Sequence, residues 1–224
     1  MSDSPSANST AVASARAPAR TPPTNAMGGR RGPADHQIRN QIVEAANHHF
    51  REFGYEKTTV SDLAKAIGFS KAYIYKFFDS KQAIGEAICA ACLGGIDAAA
   101  LAASAHPPAA GERLRALVRS TVKGTIALFS EDRRLYDIAA HSAAERWPSF
   151  LAHEARLSAA IRAIVVAGRE SGEFERKTPV DEVARSVLLV IQPLVNPLML
   201  QHNLDVLSDA LNEVVNLVLR SLAP

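Results

Sequence analysis

One segment of this chain, residues 60–79, constrains the fold more than any other. Apolar side chains recur at helical spacing on both sides of Gly68, at Leu63, Ile67, Ile74 and Phe77. A small residue, Ala64, stands where two helices have to approach closely, and glycine adopts the positive φ of a tight turn without steric strain. The pattern predicts two short helices joined by a sharp turn, a helix-turn-helix.

The second helix of this pair is expected to present a basic and aromatic face to solvent. Its members are Lys71, Tyr73, Tyr75 and Lys76. In DNA-binding helix-turn-helix proteins, the helix in this position enters the major groove. Lysines on a short helix are equally typical of an ordinary solvated face, so the spacing alone leaves both interpretations open.

The composition favours an all-α protein. Apolar residues make up 47% of the chain and aromatic residues only 6%, and alanine, which has the highest intrinsic helix propensity, is abundant. The net charge is only +2, but residues 1–82 hold 11 Lys or Arg against 7 Asp or Glu, whereas the rest of the chain holds 14 against 16. The basic excess therefore lies at the amino end of the chain.

We predict three regions. Residues 1–33 are rich in Ser, Ala, Pro and Thr and are expected to form a disordered basic arm, with Met27 as an alternative start. Residues 34–82 form the helix-turn-helix domain, and residues 83–224 form a larger helical domain in which Pro107 and Pro108 mark the clearest break. Apolar periodicity and capping residues predict helices over 35–53, 60–67, 71–78, 81–103, 112–130, 133–145, 149–171, 180–201 and 205–222.

A family resemblance enters with residues 58–84, which read T-T-V-S-D-L-A-K-A-I-G-F-S-K-A-Y-I-Y-K-F-F-D-S-K-Q-A-I. This run resembles the amino-terminal domain of the TetR (tetracycline-repressor-like, TetR/AcrR) family, and the resemblance extends over about residues 37–87, including F-R-E-F-G-Y at 50–55. It implies a three-helix DNA-binding domain joined to a ligand-binding and dimerisation domain that works as a homodimer on a palindromic operator. In the second domain, S-G-E-F at 171–174 looks like a segment common in the family, yet it identifies no ligand.

The resemblance also implies roles for individual residues. Thr59 is expected to donate its hydroxyl or backbone amide to a DNA phosphate, Lys81 to clamp a second phosphate, and Tyr75 either to reach the DNA backbone or to serve as packing. Lys71 and Tyr73 are the best candidates for contacts with base edges. The full predicted set is Thr59, Ser70, Lys71, Ala72, Tyr73, Tyr75, Lys76, Lys81, Arg30 and Arg31.

This sequence departs from the family at two of these positions. Ala72 and Tyr73 replace the Gly-Thr or Pro-Ser type pair, so the small-residue contacts of the family do not transfer directly. Tyr73 is expected either to read the groove through its ring or to stack on a sugar. Arg30 and Arg31 precede the first helix, where they either reach the adjacent minor groove or remain in a solvated tail.

The larger domain offers candidates for an effector pocket and a dimer interface. The candidate pocket residues are Phe129, Tyr136, Trp147, Phe150, Leu151, Ile161 and Val165, with a dry core as the alternative for each. His141 and His153 are candidate polar anchors for the effector, with hydrogen-bonded or exposed histidines as the alternative. The last two helices resemble the pair that, in this family, packs against its symmetry mates as a four-helix bundle, which implies a dimer interface among their apolar residues. Part of this seam also has to face its own domain, so each residue belongs either to the interface or to the core. The seam residues are Leu188, Ile191, Val195, Leu198, Leu207, Leu211, Val214 and Val218. We also interpret Gly85 and the pair Gly94-Gly95 as points where helix four absorbs a ligand-driven motion.

Other features limit the function. Cys89 and Cys92 are too few for a disulfide scaffold and lie on a predicted helix, so we expect buried packing, with a redox sensor as an alternative. We find no signal peptide, no catalytic motif and no metal site, and we expect a cytoplasmic protein without cofactor, enzymatic activity or membrane partner.

The predicted function is that of a ligand-responsive transcriptional regulator, most simply a repressor. It would bind a palindromic double-stranded DNA operator as a homodimer and be released by a small apolar or amphipathic effector. The alternatives are an activator or architectural DNA binder without a ligand, and a helical module that binds other proteins.

Overall fold

A computed structural model describes residues 33–106 and 108–224, and within them it shows helices and no strand. The all-α prediction is therefore confirmed. The helices are α1 (Pro33–Phe53), α2 (Val60–Ile67), α3 (Lys71–Ile74), α4 (Lys81–Ala105), α5 (Ala110–Glu131), α6 (Arg133–Ala144), α7 (Pro148–Ser171), α8 (Val180–Val195), α9 (Pro197–Leu200) and α10 (Leu207–Ser221). The predicted arm at 1–33, with Arg30, Arg31 and Met27, lies almost wholly outside the described residues.

The prediction of one continuous helix over 180–201 was wrong, because the chain breaks between α8 and α9. Asn196 has φ −78° and ψ 123°, an extended conformation. The ring of Pro197 disfavours the α conformation for the residue before it, so the helix has to end there. The Asn196 side chain then accepts a hydrogen bond from the Leu198 amide and begins the short α9.

Two hydrophobic cores hold the helices together. The first combines α1, α2 and α3 with the amino-terminal half of α4, with α6 and with the start of α7, where Trp147 and Phe150 are buried. The second contains the end of α4 and most of α5, α7, α8 and α10. The α4 helix therefore enters both cores, with Ile84 to Ile96 in the first and Ala100 in the second.

The α4 helix is also the most apolar long helix of the described chain. It is long and apolar enough to cross a membrane by length and composition, a test that a buried core helix passes as well. Here it packs against α1, α5, α6 and α7. Its hydropathy follows from its central position between the two cores.

The segment S-G-E-F ties the end of α7 to the start of α5. Gly172 ends α7 with φ +82°, and Phe174 is buried directly over Gly168, where a Cβ atom would overlap the ring. The Glu173 carboxylate accepts hydrogen bonds from the amides of Ala110 (3.0 Å) and Gly111 (3.3 Å), the first residues of α5. In this chain the motif therefore joins two helices.

Candidate nucleic-acid interface and its link to the helical bundle

The turn between α2 and α3 has the local geometry of a helix-turn-helix. Gly68 ends α2 with φ +77°, a left-handed backbone conformation that glycine adopts without the steric strain that other residues have there. The Ser70 hydroxyl accepts a hydrogen bond from the Tyr73 amide at 3.1 Å and so begins α3. Leu63 and Ile74 are fully buried between the two helices and α1, as the apolar pattern predicts.

One face of α3 and of the turn after it is open to solvent. Ile74 and Phe78 point into the first core, and the side chains opposite them are exposed. These exposed residues are Lys71, Ala72, Tyr75 and Lys76. Regular helix covers only Lys71–Ile74, and backbone hydrogen bonds from Phe77 and Phe78 to the Ile74 carbonyl extend it as a turn.

Tyr73 has a different environment from the rest of this face. Its ring is half-buried between Phe69 and Phe77, with edge-on contacts at centroid distances of 5.0 and 5.4 Å. The Lys76 ammonium lies 5.5 Å from the Tyr73 ring centre. Tyr75, by contrast, is 41% exposed, and the Lys71 ammonium lies 5.8 Å from its ring centre. Of the two tyrosines, Tyr75 is the more available to a DNA backbone.

Thr59 uses its donors within the chain. Its hydroxyl donates to the Asp62 carboxylate at 2.7 Å, and its backbone amide donates to the same carboxylate at 3.0 Å. These bonds lower the pKa of Asp62. They form a capping box that starts α2. The role of a free phosphate donor that the resemblance implies for Thr59 is therefore not available in this conformation.

Lys81 connects the start of α4 to the loop after α1. Its ammonium donates to the Tyr55 carbonyl at 3.0 Å and lies 4.2 Å from the Tyr55 ring centre. A lysine ammonium has three donors, so this contact leaves two for a phosphate. The phosphate clamp at Lys81 stays a prediction.

Tyr55 lies at the junction between the helix-turn-helix and the bundle. Its ring makes an edge contact with Trp147 (5.6 Å) and a tilted contact with His141 (5.5 Å), and a Cβ at Gly85 would lie 2.9 Å from it. Gly85 is therefore a site of close packing, which contradicts its interpretation as a flexible point. Gly94 and Gly95 differ from it, since a Cβ at either position would meet no atom within 4 Å.

A second link joins α1 to the start of α6. The Arg51 Nε lies 2.7 Å from the Asp132 Oδ2, and Asp132 also caps α6 by accepting from the Leu135 amide at 3.1 Å. An ion pair that ends on a capping residue couples the position of α1 to that of α6.

A buried ionic cluster lies between α4 and α7. The two Asp97 oxygens contact the His153 Nδ1 and the Arg156 Nε, each at 2.6 Å. The Asp97 and His153 side chains are only 7% and 4% exposed. His153, proposed above as a polar anchor for an effector, thus already has its partner inside the protein.

Most of the predicted pocket residues pack in the cores. Tyr136, Trp147, Phe150, Ile161 and Val165 are buried, Leu151 is 37% exposed, and Phe129 and His141 are intermediate. Ring contacts pair Phe129 with Tyr136, and the Tyr136 hydroxyl donates to the Pro197 carbonyl. None of the nine predicted residues lines the cavity that the structure shows between α1, α4, α5 and the start of α6.

That cavity, of about 530 Å³, lies where α1, α4, α5 and the start of α6 meet. Its volume is within the range of small-molecule sites. The sequence pattern did not identify this cavity, because it forms where the lining residues have small side chains or none. The small residues along its walls are Ala91, Gly95, Ala99, Gly124 and Ala127.

Half of the predicted dimer seam faces the protomer's own core. Ile191, Val195, Leu207 and Val218 are at most 6% exposed and lie in the second core, where Leu188, Leu211 and Val214 also pack. The apolar residues that remain exposed on α8 and α10 are their neighbours Leu189 (64%), Val190 (45%) and Leu217 (58%). The buried four therefore belong to the core and not to the interface, because one helix face cannot fill a core and a dimer contact at once.

The two cysteines have the environment of packing residues. Cys89 is buried and its thiol donates to the Ser142 hydroxyl at 3.1 Å. Burial raises the pKa of Cys89, and it raises the pKa of Cys92 to about 11. Since the thiolate is the reactive form, these environments argue against a redox sensor.

These observations define a class of protein: a helix-turn-helix with an exposed basic face, joined by a long shared helix to a helical bundle that contains a cavity. Two family models match the chain, "Bacterial regulatory proteins, tetR family" over residues 42–88 and "Tetracyclin repressor-like, C-terminal domain" over residues 110–215. Together they span about two thirds of the sequence. The chain belongs to the TetR family of bacterial regulatory proteins, as the resemblance at 58–84 predicted.

Individual relatives agree with this assignment. The biofilm operon icaADBC HTH-type negative transcriptional regulator IcaR of Staphylococcus aureus is 38% identical over 55 residues, which are 25% of this chain and 30% of the relative. The HTH-type transcriptional repressor Rv1474c of Mycobacterium tuberculosis is 44% identical over 46 residues, 20% of this chain and 25% of the relative. The chain thus matches less than a third of the length of either relative.

A solved structure matches over a longer range. The TetR family transcriptional regulator PfmR from Thermus thermophilus is 28% identical, with a TM-score of 0.52, and the match covers 82% of this chain and 99% of that chain. The similarity therefore extends through the helical bundle as well as the helix-turn-helix.

Proposed function

We propose that this protein is a ligand-responsive transcriptional repressor that works in the cytoplasm. It binds a palindromic operator as a homodimer, and a small apolar or amphipathic effector releases it. The observation that carries the proposal is the exposed face of α3. Lys71, Tyr75 and Lys76 are exposed, while Ile74 on the opposite side is buried in the first core and holds the helix in place. Two relatives that match part of this chain are named as a negative regulator and a repressor.

The first experiment titrates the full-length protein against its own upstream DNA at two salt concentrations, with fluorescence anisotropy as the readout. Lysine contacts to phosphates release counterions, so specific binding is expected to weaken steeply as salt rises. Binding that does not distinguish the upstream DNA from a scrambled duplex of equal length would sink the proposal.

Single substitutions locate the contact. Lys76→Ala is expected to weaken binding to all sequences and to lower the salt slope by about one unit, because one phosphate contact is lost. Lys123→Ala, on an exposed position of α5, is the matched control, since it removes the same charge far from α3. If both variants weaken binding equally, α3 is not the contact surface.

The dimer interface is proposed on the exposed apolar residues of α8 and α10, two helices that pack against each other. Leu189 and Leu217 are 64% and 58% exposed in the single chain, Val190 beside them is 45% exposed, and a large exposed apolar patch marks a protein–protein contact. Leu189→Glu is expected to give a monomer in light scattering, with DNA affinity lowered. Leu101→Glu, at a leucine of 46% exposure on α4, is the control that leaves the dimer intact. A dimer that survives Leu189→Glu and Leu217→Glu together contradicts this interface.

A further inference from the structure

The cavity between α1, α4, α5 and α6 has walls from both parts of the molecule. Val43, Asn47 and Arg51 line it from α1 at intervals of four residues, so they form one stripe of that helix. Ile88, Cys92 and Ile96 are among the residues that line it from α4, and Leu128 and Leu135 close it from α5 and α6. A molecule in this cavity would touch the helix-turn-helix domain and the bundle at the same time.

An acceptor without a partner belongs to a residue that lines the cavity. The Oδ1 atom of Asn47, a cavity-lining residue, is buried and makes no hydrogen bond. Buried polar atoms in folded proteins are almost always hydrogen-bonded, so an unpaired one calls for an explanation such as an absent ligand. Its partner must be a donor.

The charges of the cavity also favour a donor that is positively charged. Arg51, Glu131 and Asp132 are the ionisable residues that are charged at neutral pH among those lining it. Arg51 and Asp132 already neutralise each other at 2.7 Å, which leaves the carboxylate of Glu131, an exposed residue at the rim, in excess. Burial holds the pKa of the Cys92 thiol at about 11, so this residue adds no negative charge at neutral pH.

We propose that this cavity binds an amphipathic primary amine. The apolar part lies against the small residues of α4 and α5, and the ammonium donates to the Asn47 Oδ1 and faces Glu131. The effect of this ligand on DNA binding rests on the proposed function. The ligand fills the space beside the Arg51–Asp132 pair, which links α1 to α6. It thereby changes the position of α2 and α3 relative to the bundle. The occupied state then has a lower affinity for the operator.

The first test compares two fluorescent probes on the full-length protein. Dansylcadaverine carries an ammonium, and N-dansyl-6-aminohexanoic acid carries a carboxylate on a chain of similar length, so the pair isolates the charge. A charged hydrogen bond in a partly dry site is expected to make the amine bind at least about tenfold more tightly. Equal binding, or tighter binding of the acid, would overturn the proposal.

The second test fills the cavity with a larger side chain on one of its lining residues. A Cβ at Gly95 or at Gly94 would meet no atom within 4 Å, but only Gly95 lines the cavity. Gly95→Leu is therefore expected to weaken dansylcadaverine binding by more than about tenfold, a loss of the same size as one good contact. Gly94→Leu, one residue away on the same helix, is the matched control and keeps the affinity of the unmodified protein. Unchanged binding to Gly95→Leu would place the probe elsewhere and refute the site.

A third variant tests the acceptor, and it also serves if Gly95→Leu fails to fold as judged by its circular dichroism melting curve. Asn47→Leu keeps the size of the side chain and removes the amide oxygen. The preference for the amine over the acid is expected to fall to less than about threefold, since the charged hydrogen bond is lost. A preference that stays at its original value shows that Asn47 is not the acceptor and contradicts the proposal.

DNA binding is then measured with and without saturating dansylcadaverine. Loss of operator affinity on addition of the amine, present in Gly94→Leu and absent in Gly95→Leu, supports both the site and its consequence. Operator binding that never responds to the bound probe overturns the regulatory part. If the protein binds no DNA at all, the proposed function fails, while the probe titrations still decide whether the cavity binds amines.

Discussion

The helix-turn-helix and the carboxyl-terminal bundle are stabilised in different ways. The helices α2, α3 and α4 each begin at a side-chain cap, from Thr59, Ser70 and Ser80. The helices α5, α7, α8 and α10 begin without a hydrogen bond from the side chain of their own N-cap residue, and at α5 the distant Glu173 carboxylate accepts from the first amides instead. Short helices have few internal hydrogen bonds to offset nucleation, so their ends matter most, whereas a long helix gains its stability from the face that it buries. Local chemistry therefore defines the first region, and long-range packing defines the second.

The largest test of this contrast is Asp97→Ala in the bundle. The substitution leaves His153 buried without its partner, across 56 residues of sequence, and removing one member of a buried ionic cluster costs on the order of 3 kcal/mol. Chemical denaturation measures the loss of unfolding free energy. The control is Asp181→Ala, which breaks the pair with Arg162 at the same 2.6 Å distance on an exposed surface. Equal effects of the two substitutions would show that burial does not decide the contribution.

In the helix-turn-helix, Gly68→Ala is expected to cost about 1 to 2 kcal/mol, the penalty for an L-residue in the left-handed conformation. No side chain crowds this position, so the cost comes from the backbone alone. Hydrogen exchange should show faster opening of α2 and α3 with little change in α7. Uniform acceleration throughout the chain would mean that the two regions do not differ in the way described.

Thr59→Ala removes the side-chain half of the capping box and is expected to cost about 1 kcal/mol, measured by thermal denaturation. It also removes the main cause of the low pKa of Asp62, the hydrogen bond from the Thr59 side chain. The folded-state pKa of Asp62 lies below its unfolded value. The stabilisation linked to that carboxylate is therefore present above the unfolded pKa and lost as the pH falls through the folded one.

An NMR titration of the Asp62 carboxyl checks the linkage. In Thr59→Ala its pKa should move back up towards the ordinary value for aspartate, and the acid-induced loss of stability should become smaller. Glu173, which caps α5 from a distance in sequence, serves as the reference carboxylate, because its low pKa arises from the Ala110 and Gly111 amides and should not change. A shift of Asp62 and Glu173 together would point to a global change.

The smallest effect is expected from Gly94→Ala, which should raise stability by about 0.5 to 1 kcal/mol because alanine is the better helix former and the space around Gly94 is open. Gly85→Ala should have the opposite sign, since its Cβ would crowd the rings of Tyr55 and Trp147. The two melting temperatures, measured side by side, test this. A stabilised Gly85→Ala would contradict the close packing described at the junction.

The same contrast explains what the sequence predicted. The capping box at Thr59, the turn at Gly68 and the inward position of Ile74 follow from residues within one or two turns of each other, and all three are present. The break at Asn196 also follows from its neighbour Pro197, but the apolar pattern on both sides obscured it.

Longer-range features were beyond the sequence pattern. Apolar spacing, as at Ile191 on α8 or Val218 on α10, indicates that one face of a helix is buried. It does not indicate whether the same chain or a second copy covers that face. Likewise, the cavity beside Gly95 depends on where α1 and α5 lie relative to α4, and no local spacing encodes that. The role of Tyr73 changed for the same reason, because Phe69 and Phe77 both pack on its ring.

Because α4 contributes to both hydrophobic cores, it limits where domains can be exchanged between such regulators. A recombination joint at residues 82 and 83 would separate Ile84, Ile88 and Leu93 from the core that they complete together with α1 and α2. A working chimera has to carry α4 through Ile96, together with matching α6 side chains such as Leu135 and Ile138. New effector specificities are therefore more easily acquired by substitution within the bundle than by joining a foreign bundle to this helix-turn-helix domain.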